Sequence, residues 1–330
     1  MDEASQTPRP EAGALTSTKE KILQAVGDLG IATAKQITRY TFHMASLPYV
    51  RNLMSELAGG GDYHYEAYLL RFGMPSAPGN FERVYTLGRG GRDYLRALGR
   101  DIPWRYRPQK ASPYSFSFLR HHLAVSQFLV ALNLFVRHYP HYQLEETRTW
   151  LALAASPPRL TFCDDGRDTT ITLIPDAWVY VESHGGTPPK ILGFPLWIEV
   201  DCGTEAKAKF QQLVLQRINF IRYKGYASYF ETSSVLLCYL AVGATSDYRI
   251  ARLHTMREWT AQVLTATRLD EWATIFRFST LLDEACLFDR LVPFLDPVWY
   301  LPDSDTPVSL FTPPQDKEET DDNGASRSDC

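Results

Sequence analysis

The sequence predicts an α/β protein, with a mainly helical N-terminal third followed by a mixed-sheet region. Residues 18 to 98 contain three helical patterns, two extended segments and a fourth helical pattern. From residue 142 onward strands alternate with helices, and "SSVLLCYLAVG" is short and apolar on both faces, as a central parallel strand is. A strand, a helix and an apolar strand in succession imply a right-handed crossover within one sheet.

The helices of the N-terminal third have recognisable ends. In "TKEKILQAVGDLG" we expect Thr18 as the N-cap and Gly30, the last residue of the stretch, to end the helix. The stretch "TAKQITRY" opens with Thr33, and Gln36 three residues later completes a capping box. The third helix starts at Ser46, has a proline in its first turn and ends at a triple glycine.

Two extended segments, "YEAYLLRFG" and "FERVYTLG", follow the third helix and are joined by the Pro/Gly-rich "MPSAPGN". Three helices followed by a two-stranded ribbon is the order of a winged helix-turn-helix domain, which binds double-stranded DNA. The third helix would contact base edges, and arginines on and after the ribbon would contact the DNA backbone. The candidate DNA-binding residues are Tyr49, Arg51, Asn52, Ser55, Arg71, Arg83, Arg89 and Arg92. Three-helix units also serve as protein docking modules, and this alternative stays open.

Two hydrophobic stretches of the second region carry three carboxylates between them. In "PLWIEVDCGTEAKAKF", Glu199 and Asp201 share a strand face with Trp197, because side chains alternate along a strand. The stretch "TITLIPDAWVYVE" carries Asp176 in the middle of its predicted strand. If the two strands pair, the carboxylates converge, and unpaired anions raise one another's pKa. Mg²⁺ or Mn²⁺ would relieve this repulsion and could activate water against a phosphodiester.

The same region also suits purely structural roles. Asp176 can cap a turn, and Glu199 and Asp201 can form salt bridges with Lys or Arg of the following helix. On the long apolar helix before them, His121 and His122 are adjacent and therefore about 100° apart, so they cannot both point into one site. We expect these two histidines to cap or to pack.

The order of these motifs resembles the PD-(D/E)xK nuclease superfamily. With a winged helix in front, the chain is similar to the replication-relaxation family of plasmid and mobile-element proteins. The resemblance covers roughly residues 18 to 245 and rests on the motifs Pro175-Asp176, Glu199-Val200-Asp201 and Gly203-Thr204-Glu205.

The resemblance implies a restriction-endonuclease-like mixed-sheet domain in which Asp176, Glu199 and Asp201 would be catalytic and hold the metal. Asp201, however, stands where the superfamily has a lysine that stabilises charge on the phosphate. Lys207 or Lys209, at the start of the next helix, would have to replace that lysine.

Composition and charge divide the chain further. We expect a disordered N-terminus (residues 1 to 15), a winged helix-turn-helix domain (16 to 110), a nuclease-like α/β domain (111 to 301) and a disordered acidic tail (302 to 330). The first 110 residues contain 15 Lys and Arg against 11 Asp and Glu, whereas the tail contains 2 against 8. A charged, proline-containing tail of this kind cannot bury enough apolar surface to fold.

The remaining bulk features describe the expected compartment. No apolar run reaches the roughly 18 residues of a membrane span, and the N-terminus is unlike a signal peptide. Five cysteines without CxxC spacing are typical of reduced, mostly buried thiols in a cytoplasmic protein.

Three functional hypotheses follow. The first is a DNA-binding protein of a bacterial plasmid or mobile element that, if active, nicks DNA with Mg²⁺ or Mn²⁺. The second is a non-catalytic transcription or copy-number regulator whose α/β domain forms a homodimer or binds an effector. The third is a protein–protein adaptor without DNA affinity, which the salt dependence of DNA binding would separate from the other two.

Overall fold

The computed structural model describes residues 15–59, 67–77, 80–102, 115–164, 167–185 and 190–311. Its N-terminal third contains α1 (Ser17–Leu29), β1 (Ile31–Thr33), α2 (Ala34–Thr41), α3 (Leu47–Leu57), β2 (Leu69–Ala77), β3 (Asn80–Leu87) and α4 (Arg89–Ala97). A single 3-10 turn, Met44–Ser46, joins α2 to α3. β3 pairs antiparallel with both β1 and β2, so the small sheet has the order β1-β3-β2.

Local sequence signals account for two of these helix ends, the start of α2 and the end of α1. The Thr33 hydroxyl accepts a hydrogen bond from the Gln36 backbone N–H at 3.2 Å, and the Gln36 side chain accepts from the Thr33 N–H at 3.0 Å. The predicted capping box is therefore confirmed. Gly30 ends α1 with a φ of 74°, as predicted. The predicted cap at Thr18 is wrong, because α1 begins at Ser17 and its N-cap is Thr16. The Thr16 side chain makes no capping hydrogen bond.

The second part of the chain alternates helices and strands. It contains α5 (Phe116–His138), β4 (Tyr142–Thr149), α6 (Trp150–Leu153), β5 (Arg159–Asp164), β6 (Arg167–Thr172), β7 (Ala177–Gly185), β8 (Lys190–Asp201), α7 (Lys207–Arg222), α8 (Gly225–Phe230), β9 (Leu236–Ala241), α9 (Ser246–Thr267), β10 (Phe276–Thr280), α10 (Val292–Leu295), β11 (Trp299–Leu301) and β12 (Ser304–Val308). A 3-10 segment, Asp270–Ile275, precedes β10, and a π-helical turn, Ala285–Asp289, follows it.

Seven of the described strands form one mixed sheet in the order β12-β11-β10-β9-β8-β7-β4. The apolar strand β9 is parallel to both of its neighbours, β8 and β10, as the sequence predicted. The other pairs in this sheet are antiparallel. β5 and β6 form a separate hairpin that the sequence analysis did not predict. The fold is thus mixed α/β, with a large mixed sheet.

The seven-stranded sheet separates two hydrophobic cores. Strand alternation places Ile198 and Val200 in the core shared with α5 and the N-terminal helices. It places Trp197 and Tyr239 in the core shared with α7 and α9. Hydrogen bonds also join the N-terminal helices to α5, for example from the Asn133 amide to a backbone carbonyl oxygen of α2 at 2.8 Å.

Among the described helices, α5 alone is long and apolar enough to cross a membrane by length and composition. The core helix of a soluble protein passes the same test, and 56% of the apolar window of α5 is buried inside the protein. Its rings of Phe128 and Phe135 pack against Phe294, with centroids 5.6 Å and 4.8 Å away. The sequence predicted no membrane span here, because the apolar stretch is interrupted by polar residues.

Two sequence predictions require correction. Asp176 lies in the link before β7 rather than mid-strand, because Pro175 cannot donate to a strand ladder. The chain is also ordered beyond residue 302, where a disordered tail was predicted. β12 forms there, and Leu310 and Phe311 are buried. These apolar side chains were hidden in the average composition of a long acidic segment.

Other predictions fall outside the described residues. They are the disorder of residues 1 to 14 and of 312 to 330, and the domain boundary at residues 110 and 111, which lies within 103–114. The four described cysteines, Cys163, Cys202, Cys238 and Cys286, are free thiols, but only Cys238 is buried, so the prediction of mostly buried thiols is wrong.

Candidate functional site at the end of strands β7 and β8

Strand pairing brings the three carboxylates to one end of the large sheet. β7 and β8 are antiparallel, and the backbone N–H of Asp176, just before β7, donates to the Ile198 carbonyl oxygen at 3.1 Å. The Asp176 side chain accepts a second hydrogen bond from the Val200 N–H at 2.8 Å. Asp176 therefore lies beside the strand segment that carries Glu199 and Asp201.

Asp176 is also held by helix α5. Its Oδ1 lies 2.8 Å from Nε2 of His121. Burial alone would lower the pKa of His121, but hydrogen bonds to Asp176 and to the thiol of Cys202 raise it to about 10. His121 is therefore charged at neutral pH and forms an ion pair with the carboxylate. The adjacent His122 packs on Phe118, and burial together with the charge on His121 lowers its pKa to about 4.

Glu199 points to the opposite face of the sheet, which α7 covers. Its Oε1 accepts hydrogen bonds from Nη2 of Arg217 at 2.8 Å and from the indole N–H of Trp197 at 2.6 Å. Arg217 also donates to the Tyr239 hydroxyl at 3.1 Å.

Burial acts against both charges of this pair. It raises the pKa of Glu199 to about 7, although the charge on Arg217 opposes the shift. Burial disfavours the charge on Arg217 as well, but the neighbouring Glu199 carboxylate outweighs it and raises the pKa of Arg217. Arg217 therefore stays charged and favours the ionised form of Glu199.

Asp201 is bound by helix α9. Arg252 makes two parallel contacts with it, Nε to Oδ1 and Nη2 to Oδ2, each at 2.8 Å. Such a bidentate pair fixes geometry as well as charge. The Gly203 N–H donates to Oδ1 at 2.6 Å, and the positive φ of Gly203, 79°, turns the chain from β8 toward α7. The Arg252 guanidinium also lies 5.0 Å from the ring centroid of Trp259.

In this arrangement each of the three carboxylates is paired with a basic side chain. Each has a cationic partner from a different helix, so the mutual repulsion that made a divalent cation attractive is already balanced. Within the described residues, no group of three or more His, Cys, Asp or Glu side chains is placed to hold a metal ion. Lys207 and Lys209, the predicted replacements for the superfamily lysine, are exposed in the first turn of α7.

The three cationic partners, His121, Arg217 and Arg252, were not predicted from the sequence as site residues. A salt bridge from Glu199 to the following helix was among the structural roles considered, and Arg217 fills it. Arg217 had a local signal, because it lies between the apolar Val214 and Ile218 on the buried face of α7. Arg252 had none, since it lies 51 residues from its partner and on a different helix.

The predicted reading helix, α3, presents polar side chains away from its core face. Tyr49 is 56% exposed, Arg51 and Asn52 are exposed, and Ser55 is half-buried. This matches the helical spacing on which the prediction depends.

Arginines of the β2–β3 hairpin lie near this helix. Arg71 is opposite Tyr85 in the strand register, and Arg83 is two residues before Tyr85 on the same face. Burial raises the pKa of Tyr85, and the charges of Arg83, Arg71 and Arg51 oppose that rise, so all three lie close to one ring. Helix α3 and the hairpin therefore share one basic surface.

The two candidates after the hairpin are placed differently. Arg89 Nε lies 3.6 Å from an Asp93 carboxylate oxygen, and Arg92 is buried and contacts the same carboxylate at 3.2 Å. Both of these arginines therefore lie beside the Asp93 carboxylate.

The fold and these contacts define a mixed α/β protein whose helical N-terminal third packs on a seven-stranded sheet. The chain belongs to the replication-relaxation family, because the family model described as "Replication-relaxation" matches residues 23–234, more than half of the chain. The family resemblance predicted from the sequence is thus confirmed. Membership suggests a role in the replication or relaxation of mobile elements. The search of curated proteins and the search of solved structures found no match.

Proposed function

We propose that this protein binds double-stranded DNA of a mobile element and does not cut it. In this proposal residues 16 to 110 are a winged helix-turn-helix domain, with α3 in the major groove and the β2–β3 hairpin as the wing. The mixed-sheet part is a restriction-endonuclease-like domain whose acidic residues stabilise the fold. This proposal corresponds to the second of the three hypotheses, a non-catalytic regulator.

The order of elements supports DNA binding. A helix, a short strand, two further helices and a hairpin follow one another, and the short strand pairs with the hairpin. In helix-turn-helix proteins the second helix of the motif enters the major groove. Here that helix is α3, and its exposed Arg51 lies on the basic surface shared with Arg71 and Arg83.

The observation that carries the absence of cleavage is the pairing of every candidate catalytic carboxylate. Asp176 pairs with His121, Glu199 with Arg217, and Asp201 with Arg252. A metal ion would have to displace three cations that already neutralise the site. The residue at the superfamily lysine position is itself an anion, Asp201, so it cannot stabilise charge that develops on a phosphate.

A salt-dependent binding assay tests the DNA-binding part. The fluorescence anisotropy of a labelled duplex measures the affinity of the wild type, of Arg51→Ala and of the control Arg222→Ala. Arg222 is an exposed arginine of α7 on the other side of the sheet, so the control removes the same charge elsewhere. We expect Arg51→Ala to weaken binding about tenfold and Arg222→Ala to leave it unchanged. Equal effects of the two variants would contradict the assignment of α3.

A plasmid assay tests the catalytic part. Supercoiled plasmid is incubated with wild type or Glu199→Ala, with Mg²⁺ or Mn²⁺ or with EDTA. We expect DNA binding in EDTA and intact plasmid with both proteins. Nicking by the wild type that requires Mg²⁺ or Mn²⁺ and disappears in Glu199→Ala, with that variant shown to be folded by thermal melting, would instead make the three carboxylates a catalytic metal site.

A further inference from the structure

A carboxylate from the mixed-sheet part reaches across to the predicted DNA-binding part. Glu284 lies in the link between β10 and the π-helical turn, and both of its oxygens lie 2.7 Å from Nζ of Lys35. Its Oε2 is also 2.9 Å from Nη2 of Arg39. Lys35 and Arg39 are four residues apart on α2 and therefore face the same way. One anion thus bridges two cations of one helix face.

This cluster adjoins the basic surface of α3. Burial raises the pKa of Glu82, on the hairpin strand β3, and the charges of Lys35, Arg51 and Glu284 also act on it, so these three side chains lie within electrostatic range of Glu82. Arg51 belongs to the exposed face of α3. The face of α2 that Glu284 covers is therefore continuous with the face proposed to contact DNA.

We propose that Lys35 and Arg39 form a binding site for a DNA backbone phosphate, and that Glu284 occupies this site when DNA is absent. The inference rests on the proposed DNA binding by α3. In helix-turn-helix proteins the helix before the reading helix crosses the DNA backbone, and here that helix is α2. A carboxylate and a phosphate offer the same kind of oxygen acceptors to Lys and Arg.

The arrangement allows Glu284 to leave and the two cations to stay in place. The Glu284 side chain is 50% exposed, and half-exposed ion pairs add little net stability. Arg39 is supported independently, because its guanidinium lies 4.2 Å from the ring centroid of Phe288. Helix α2 is fixed by its capping box, and the Gln36 side chain donates to a backbone carbonyl oxygen of α5 at 2.8 Å. A phosphate would therefore meet a preformed pair of cations.

The experiment compares the affinity of the same labelled duplex for wild type, Glu284→Gln and the control Glu258→Gln. Glu258 is an exposed glutamate of α9 that accepts a hydrogen bond from a neighbouring glutamine, so its variant makes the same charge change elsewhere. We expect Glu284→Gln to bind about three- to tenfold more tightly and to steepen the salt dependence by about one to two released counterions. Glu258→Gln should match the wild type. Thermal melting checks that each variant is folded.

A second pair of variants separates the local effect from a general gain in positive charge. In a Lys35→Gln/Arg39→Gln background, Glu284→Gln should no longer tighten binding. If it tightens binding equally there, or if it does not tighten binding in the wild-type background, the phosphate site is refuted while DNA binding by α3 stands. If the wild type binds no duplex at any salt concentration, both the proposed function and this inference fall.

Discussion

The Glu199–Arg217 ion pair makes the structural interpretation of the carboxylates testable. Arg217 is almost fully buried and Glu199 nearly so, with side-chain exposures of 8% and 13%. Removing one partner leaves the other charge buried without compensation. Replacing both removes the two desolvation costs together. The relevant changes are Glu199→Gln, Arg217→Met and the double variant.

The expected magnitudes follow from that asymmetry. Breaking a buried pair by one substitution costs about 3–5 kcal/mol, whereas replacing both partners is often close to neutral. We expect each single variant to lose about 3 kcal/mol of the free energy of unfolding, and the double variant to lie within about 1–2 kcal/mol of wild type. Urea denaturation measures the three values. The pH should be 8, above the raised pKa of Glu199, so that the pair is ionised.

Two outcomes would refute this reasoning. The first is additivity, in which the double variant loses the sum of the two single losses to within about 0.5 kcal/mol. The second is a stabilising metal. A ligand at about one hundred times its Kd raises the free energy of unfolding by about 2.7 kcal/mol. A rise of that size with Mn²⁺ in the wild type, absent in Glu199→Gln, would identify Glu199 as a metal ligand.

Two further predictions concern stability. The folded His121 imidazole has a pKa raised to about 10, above its ordinary value of 6.5, so between these pH values the folded state holds a proton that the unfolded state has lost. The free energy of unfolding should therefore fall by on the order of 5 kcal/mol as the pH rises through this window. An unchanged fall in His121→Gln would contradict this origin. Gly91→Ala should lower the free energy of unfolding by about 2–3 kcal/mol, because a Cβ there would lie 2.2 Å from a backbone carbonyl oxygen. The control Gly185→Ala, where the Cβ would meet open space, should leave the melting temperature close to that of the wild type.

The parts of this site that depend on local periodicity were predictable. Strand alternation placed Glu199 and Asp201 on the face of Trp197, and the structure has Trp197 donating to Glu199. Helical spacing placed His121 and His122 in different surroundings, and their pKa values shift in opposite directions. Each inference needed only the geometry of one element.

The parts that depend on which elements pack together were not predictable. Nothing near Asp201 in the sequence indicates that Arg252 of α9 is its partner, because that contact depends on how α9 crosses the sheet. The burial of Phe311 depends on an aromatic cluster with Phe135, which is far away along the chain.

Under the proposed function, the balance of charge explains how a nuclease-like acidic pattern can persist without a metal. In the superfamily pattern, a lysine beside the acidic residues supplies positive charge, and here Asp201 reverses the sign at that position. The structure compensates with Arg252, so the extra anion is neutral within its own bidentate pair. With Arg217 on α7 and His121 on α5, the three pairs tie both helical layers to one end of the sheet. Under the proposed function, substituting any one carboxylate weakens the fold that holds the DNA-binding helices, and DNA affinity falls only as far as the protein unfolds.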